Sequence, residues 1–194
     1  MKTIVCLIGK CAVGKTTLEI MLSKNENFHR AISMTTREKR SNEVDGVDYI
    51  FLNDEEFDKQ IQKDGIYEQT SYVVSGKTLR YALVPSGLVD DKINVAVVNP
   101  HGFKQLHSHK ELRIIPILIN SNIATLIERY LRRETSPSKY EKLAQRLVQD
   151  DKDFSDFNTF CKENKIKLNV LENSASTKLE DLEKQIINIA LKEE

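Results

Sequence analysis

The chain has 194 residues, 40% hydrophobic and 30% charged, which suits a soluble globular protein with one sizeable core. Lys+Arg and Asp+Glu both number 29, so the formal net charge is zero, and the basic excess of a generic nucleic-acid or anionic-membrane binder is excluded. Cys6, Cys11 and Cys161 are too few and scattered for a disulfide framework, and no apolar run has the length of a signal peptide or membrane span. The expectation is reduced thiols in a cytoplasmic protein.

The run "TIVCLIG" is continuously apolar, carries β-branched residues and ends in glycine, which predicts a strand buried on both faces. "KTTLEIMLSK" then spaces Leu18, Met21 and Leu22 as a helix would. "RAIS" and "VDYIFL" read as short strands. "NDEEFDKQIQKDG" is a well-marked helix, with Asn53 as cap, Glu56 at the third helical position and Gly65 as terminator. "TSYVV" and "LRYALV" flank "SGKT" as a hairpin would.

"INVAVVN" and "LRIIPILIN" are further buried-type strands, with a short helix expected in "PHGFKQLHSH" between them. "SNIATLIERYLRRE" is amphipathic, with Ile123, Leu126, Ile127 and Tyr130 on one side. "SPSKYEKLAQRLVQDDKDF" is another helix after a Ser-Pro-Ser break. "IKLNVLEN" is a last strand, and "TKLEDLEKQIINIALK" a closing helix with Leu179, Leu182, Ile186 and Ile189 toward the core. Strands alternating with helices argue for an α/β fold with a parallel sheet covered on both faces. The middle, about 33–84, is richer in hairpin signals and reads as a β-rich subdomain inserted into that core.

Gly9, Lys10, Cys11, Ala12, Val13, Gly14, Lys15 and Thr16 fit G-x-x-x-x-G-K-[ST], with a strand before and a helix after, and Thr17 follows in the helix. Such a loop turns its N–H groups inward, and the helix N-terminus adds positive dipole. Lys15 would reach the β- and γ-phosphates of a nucleoside triphosphate, and the Thr16 hydroxyl would coordinate Mg²⁺. The bland reading is a chance match in a turn, but pattern and context agree. Cys11 reads as a small filler residue, with redox sensing as the alternative.

A second cluster is "SMTTREKRSNEVDGVDYIF". Arg37 and Arg40 lie three apart, and Tyr49 follows a turn at "DG". Paired guanidinium groups and a phenol suit a phosphate dianion. Taken alone they are as readily a solvated charged loop.

The run "TTR--R--EVDGVDYIF" closely resembles the guanylate kinase family, and the resemblance extends through "IYEQ", "NPHG", an arginine-bearing helix and the final strand–helix pair. It implies a three-layer α/β/α P-loop fold. The core is expected at about 1–32 and 85–194, a nucleoside-monophosphate-binding subdomain at 33–84 and a helical lid at 128–148. It implies ATP-dependent phosphorylation of GMP or dGMP with Mg²⁺, and neither a nucleic-acid nor a membrane partner. It leaves oligomeric state open. By position, Arg37, Arg40, Tyr49 and Tyr81 would bind the acceptor phosphate, and Ser33 and Glu68 would read guanine. Glu68 suits that role: a carboxylate can accept from both N1–H and the 2-amino group, a donor pair adenine lacks. Arg129, Arg133 and Arg146 would close over the transferring group, Arg133 and Arg146 joining Lys15 in catalysis.

The chain departs from that pattern in three places. Val97 and Asn99 stand where the family has aspartates, which help with nucleotide contacts and the water shell of Mg²⁺. Ala82 and Leu83 replace a glycine and a hydroxyl residue, and "SYVVSGKTLRY" is longer than its counterpart. These departures bear on base preference and rate more than on phosphate binding. The alternatives are a monophosphate kinase with shifted base preference, a ribose 1,5-bisphosphate kinase-like enzyme, and a non-catalytic binding module. His107 and His109 have a spacing a metal could use, but a solvated helix end is the expectation. "QDDKDFSD" is expected to be a solvated face with Phe154 and Phe157 buried beneath it.

Overall fold

The computed structural model describes residues 1–40, 43–74 and 76–192. A five-stranded sheet is built from β1 (Lys2–Ile8), β2 (Phe28–Arg30), β7 (Ile93–Val97), β8 (Leu112–Asn120) and β9 (Asn169–Glu172). Its order is β2-β7-β1-β8-β9, and every pairing is parallel. Alternate side chains of β1 point to opposite faces. Val5 and Leu7 meet Leu18 and Leu22 of α1 (Lys15–Leu22), Leu126 of α4 (Ile123–Arg133), and Leu182 and Ile186 of α6 (Leu179–Lys192). Ile4, Cys6 and Ile8 meet Phe103 and Leu106 of α3 (Pro100–Ser108), and Phe154, Phe157 and Cys161 of α5 (Lys139–Glu163). Two cores on two faces of one parallel sheet make the expected three-layer α/β/α arrangement.

A four-stranded sheet, β4-β3-β6-β5, stands apart from the first. It comprises β3 (Met34–Thr35), β4 (Ile50–Phe51), β5 (Glu68–Val74) and β6 (Lys77–Leu83). Its small core joins Met34, Ala82 and Val84 to Phe57 of α2 (Asp54–Asp64). The capping box of α2 is as expected: Asn53 Oδ1 accepts the Glu56 N–H at 2.9 Å, and the Glu56 carboxylate accepts the Asn53 N–H at 3.0 Å. The expected hairpin is β5–β6, with longer strands that take in Lys77 and Thr78. Ser75 of "SGKT" lies outside the described residues.

Several expectations change. "RAIS" is not one strand. Arg30 ends β2, Ala31–Ser33 cross between sheets, and Met34 starts β3. The Ala31 N–H still donates to Val95 O at 2.8 Å in the large sheet, while Ser33 O accepts from the Ile50 N–H at 3.0 Å in the small one. An apolar pattern reports burial, not which neighbour supplies the ladder. In "VDYIFL" only Ile50–Phe51 is strand and Tyr49 makes a lone bridge to Asp45, because Val47 and Asp48 both donate to Val44 O and close a turn. β9 is shorter than "IKLNVLEN", and the Ser-Pro-Ser helix runs on to Glu163, 25 residues in all. Ile123 is 57% exposed. It is the first residue of α4, and a helical side chain leans back over the preceding turn, which Ile123 lacks.

Candidate functional site

The loop after β1 needs its glycines for different reasons. A Cβ on Gly9 would lie 2.5 Å from Ile119 O, so only glycine lets β8 pass this close. Gly14 has φ +99°, a left-handed conformation that side chains disfavour. Ala12, at φ 62°, shares that region. Val13 is buried, and Asn173, just after β9, donates its side-chain amide to Val13 O at 2.8 Å. The loop is therefore braced from the far end of the chain. Lys15 Nζ donates to Gly9 O at 2.7 Å and Lys10 O at 3.0 Å. Burial lowers its pKa to about 8.

Above the loop lies a cleft of about 590 Å³, bordered by Cys11–Thr17 and by all three arginines named from sequence, Arg129, Arg133 and Arg146. That volume suits a nucleotide. The arginines are not equivalent. Arg129 is held by Asn173 O, Asn173 Oδ1 and Ser174 O at 3.0–3.3 Å, so it ties α4 to the loop after β9. Arg133 reaches Cys11 Sγ at 3.7 Å. Arg146 pairs through Nε with Asp150 Oδ1 at 3.4 Å, and Asp150 Oδ2 accepts the Cys11 N–H at 2.7 Å. Asp151, Lys152, Ser155 and Asp156 form the solvated face expected of this segment, but Asp150 is 4% exposed and docks α5 on the phosphate loop. Phe154 and Phe157 are buried as expected. Replacing Asp150 by alanine is expected to speed hydrogen exchange at the Cys11 amide, measured by NMR, because that donor loses its acceptor.

A second cavity of about 310 Å³ adjoins the first, and Lys15, Arg146 and Val97 border both. Four of the six residues assigned to the acceptor line it: Ser33, Tyr49, Glu68 and Tyr81. Tyr81, carried over across a longer hairpin, sits edge-on to Tyr49 and Tyr72 at 5.9 and 5.8 Å. Glu68 opens β5 under the N-terminus of α3, where Gly102 leaves it room: a Cβ there would lie 2.9 Å from Glu68 Oε2. Burial pushes the Glu68 carboxyl up to about 7. Arg37 and Arg40 are not brought into this cavity. Arg37 makes two bonds to Glu43, at 2.9 and 2.8 Å, with its guanidinium 5.5 Å from the Tyr49 ring. The Arg40 side chain is 71% exposed and 3.9 Å from Glu43.

The structure adds residues that the sequence reading passed over. Thr70 and Tyr72 follow Glu68 at alternate positions of β5 and line the same cavity, a placement that period-two spacing alone signals. Glu19, on α1, is 5% exposed and pairs with Arg30 at 3.0 Å. Arg30 also holds Asp48 at 3.1 Å. The three border a small cavity with Thr16 and Val97. No spacing links Glu19, Arg30 and Asp48, so sequence carries no signal for this cluster. Asn99, where an aspartate was expected, caps α3 by accepting the Gly102 N–H at 2.7 Å and donates to the Tyr72 hydroxyl at 3.1 Å. His107 and His109 are half-buried, not solvated. His107 stacks on Phe103 with centroids 5.9 Å apart, and His109 meets the Tyr67 ring at 5.1 Å and Glu111 at 3.0 Å. Among the described residues no group of histidine, cysteine or acidic side chains has the arrangement of a metal site, and no helix is long and apolar enough to cross a membrane.

Comparisons with known proteins point one way. The family model described as guanylate kinase matches residues 1–186. The guanylate kinase of Streptococcus pneumoniae is 33% identical over 144 residues, covering 72% of this chain and 67% of that one. The guanylate kinase of Latilactobacillus sakei is 43% identical over 72 residues, so the chain spans only 36% of that relative's length. The crystal structure of guanylate kinase from Anaplasma phagocytophilum superposes with a TM-score of 0.63 at 19% identity, covering 99% of this chain and 86% of that one, which is a likeness of fold. With a phosphate loop on the first strand, a carboxylate-floored cavity beside it and a family match over almost its whole length, the chain belongs to the guanylate kinase family.

Proposed function

We propose that this chain transfers the γ-phosphoryl group of ATP to GMP or dGMP, forming the diphosphate and ADP. The observation that carries this reading is that the phosphate-loop cleft and the Glu68 cavity meet at Lys15 and Arg146. ATP lies with its phosphates on the loop amides, and GMP lies with its base at Glu68. An oxygen of the GMP phosphate attacks the γ-phosphorus in line, and the bond from that phosphorus to the β–γ bridging oxygen breaks, so ADP leaves with the electron pair. Lys15, Arg133 and Arg146 offset the charge that spreads over the transferring group. The core, acceptor subdomain and lid correspond on this reading to 1–32 with 85–194, 33–84 and 128–148. The three free cysteines agree with a cytoplasmic enzyme.

The residues fit Mg²⁺ carried with ATP. The Thr16 hydroxyl borders the cleft in the first turn of α1, and Glu19 and Asp48 bring carboxylates to the cavity beside it, where Val97 brings none. Thr16 would hold the ion, which neutralises the β- and γ-phosphate oxygens when bound.

An intact loop with its lysine disfavours the non-catalytic module. Measuring ADP release with ATP, Mg²⁺ and a panel of nucleoside monophosphates plus ribose 1,5-bisphosphate tests the proposal. GMP or dGMP should give the highest kcat/KM, and a better acceptor of another class overturns it. Within the same assay, Arg37→Ala is expected to raise KM for GMP about ten- to a hundredfold, with KM for ATP little changed, because Arg37 lies 5.5 Å from the ring of cavity-lining Tyr49 and would turn from Glu43 to the acceptor phosphate, a charge-assisted contact of about 1.5–3 kcal/mol. Arg40→Ala should do less unless the acceptor segment closes on the substrate, because its side chain stands away from the cavity. Equal effects on both substrates would assign these arginines to the donor side.

A further inference from the structure

Thr70 Oγ1 is buried and has no hydrogen-bond partner, alone among the side-chain atoms of the described residues. Buried polar groups are almost always paired, and a lost bond of this kind is costly, so an orphan on a cavity wall calls for a reason. The hydroxyl belongs to β5, two residues after Glu68, and lines the cavity that Glu68 floors. Burial raises the Glu68 pKa and the nearby Thr70 hydroxyl opposes that rise, but the hydroxyl makes no bond of ordinary geometry with the carboxylate. Across the hairpin, Thr70 pairs with Tyr81 and Glu68 with Leu83. Position 83, beside the carboxylate, therefore carries an apolar side chain that is itself 1% exposed. Of the two residues beside Glu68 on this face, Thr70 along the strand and Leu83 across the hairpin, Thr70 supplies the hydroxyl.

We infer that Thr70 is a specificity-determining residue of the acceptor site, whose hydroxyl completes its hydrogen bonding on the edge of the base that Glu68 holds. A hydroxyl has one donor and two acceptor positions, so it can serve either a carbonyl or an amino group of that edge. The free protein keeps the group unpaired, and the bound base satisfies it. The inference rests on the proposed acceptor reading for the identity of the base.

Thr70→Val keeps the shape and removes the hydroxyl, and Thr70→Ser keeps the hydroxyl. Valine is expected to lower kcat/KM for GMP about three- to tenfold, the range of one neutral hydrogen bond, with KM for ATP unchanged, while serine retains most of the activity. The thermal midpoint of the ligand-free valine variant should equal or exceed that of the unmodified protein, because an unpaired buried group is removed, and the rise in midpoint on adding GMP should shrink. A valine variant with unchanged GMP kinetics, a serine variant as impaired as valine, or a ligand-free midpoint several degrees lower in valine would overturn the inference. If a different base proves to be the best acceptor, the proposed function falls separately. The midpoint rise given by that nucleotide must then shrink in Thr70→Val, and equal rises in both proteins for every nucleotide overturn the role of Thr70.

Discussion

Lys15→Ala is expected to lower turnover about a hundred- to a thousandfold while leaving the chain folded. Lys15 borders both cavities and is the loop's only side-chain cation at their junction from α1. Its ammonium now rests on Gly9 O and Lys10 O, which are groups any triphosphate would outcompete by charge. Alanine also removes a charge that burial disfavours, so stability should change little. The comparison to make is single-turnover rate against thermal midpoint. A folded variant with near-normal turnover would remove Lys15 from the chemistry. Because burial lowers its pKa to about 8 in the free protein, part of the population is neutral above that pH. Bound phosphate favours the charged form, so ATP binding above pH about 8 should take up protons, read as a dependence of the calorimetric heat on the buffer.

Glu68→Gln should abolish most of the preference for guanine. On the proposed reading the carboxylate accepts two donors from guanine, whereas glutamine would turn one of its own donors toward them. Contacts to a charged group are worth about 1.5–3 kcal/mol, so kcat/KM for GMP should fall about ten- to a hundredfold, and that for AMP much less. A site that hydrogen-bonds a substrate group can reject an analogue lacking it by about 10⁴-fold, which sets the upper limit for the unmodified protein. Finding the same ratio of GMP to AMP kcat/KM in both proteins would take the base away from Glu68.

The same residue makes a pH prediction whose sign is set by burial. The Glu68 pKa rises from 4.5 to about 7, so the folded state holds a proton there that the unfolded chain has released. Its contribution to stability is present below pH 4.5 and is lost as pH rises through about 7. Guanine binding runs the other way, since a protonated Glu68 presents a donor to guanine's donors. KM for GMP should rise as pH falls below about 7, and Glu68→Gln should flatten both dependences. A pH-independent difference between the two proteins in thermal midpoint would contradict the buried, titrating carboxyl.

Several features were legible in the chain alone because their causes are local. The glycines, Lys15 and Thr16 of the phosphate loop form one continuous stretch whose geometry depends on its own φ angles and on the helix it opens. The α2 capping box is closed by residues three apart. The apolar runs of β1, β7 and β8 mark strands buried on both sides whichever elements cover them. Glu68, Ser33, Tyr49 and Tyr81 were named from a resemblance, and they line one cavity although nothing local joins them.

What tertiary structure decided involves partners distant in sequence. Asp150 looked like one more acid on a solvated helix, and it is buried because the amide that needs its carboxylate belongs to Cys11, 139 residues earlier. Glu19 occupies a buried position of α1 only because Arg30 arrives to pair with it. All three similar arginines border the cleft, but Arg129 is held by Asn173 and Ser174, whereas Arg133 reaches Cys11 and Arg146 pairs with Asp150. The unpaired hydroxyl of Thr70 is invisible in sequence for the same reason. Alternation predicts the face on which a strand residue stands, but whether a polar group there finds a partner depends on every element packed against that face.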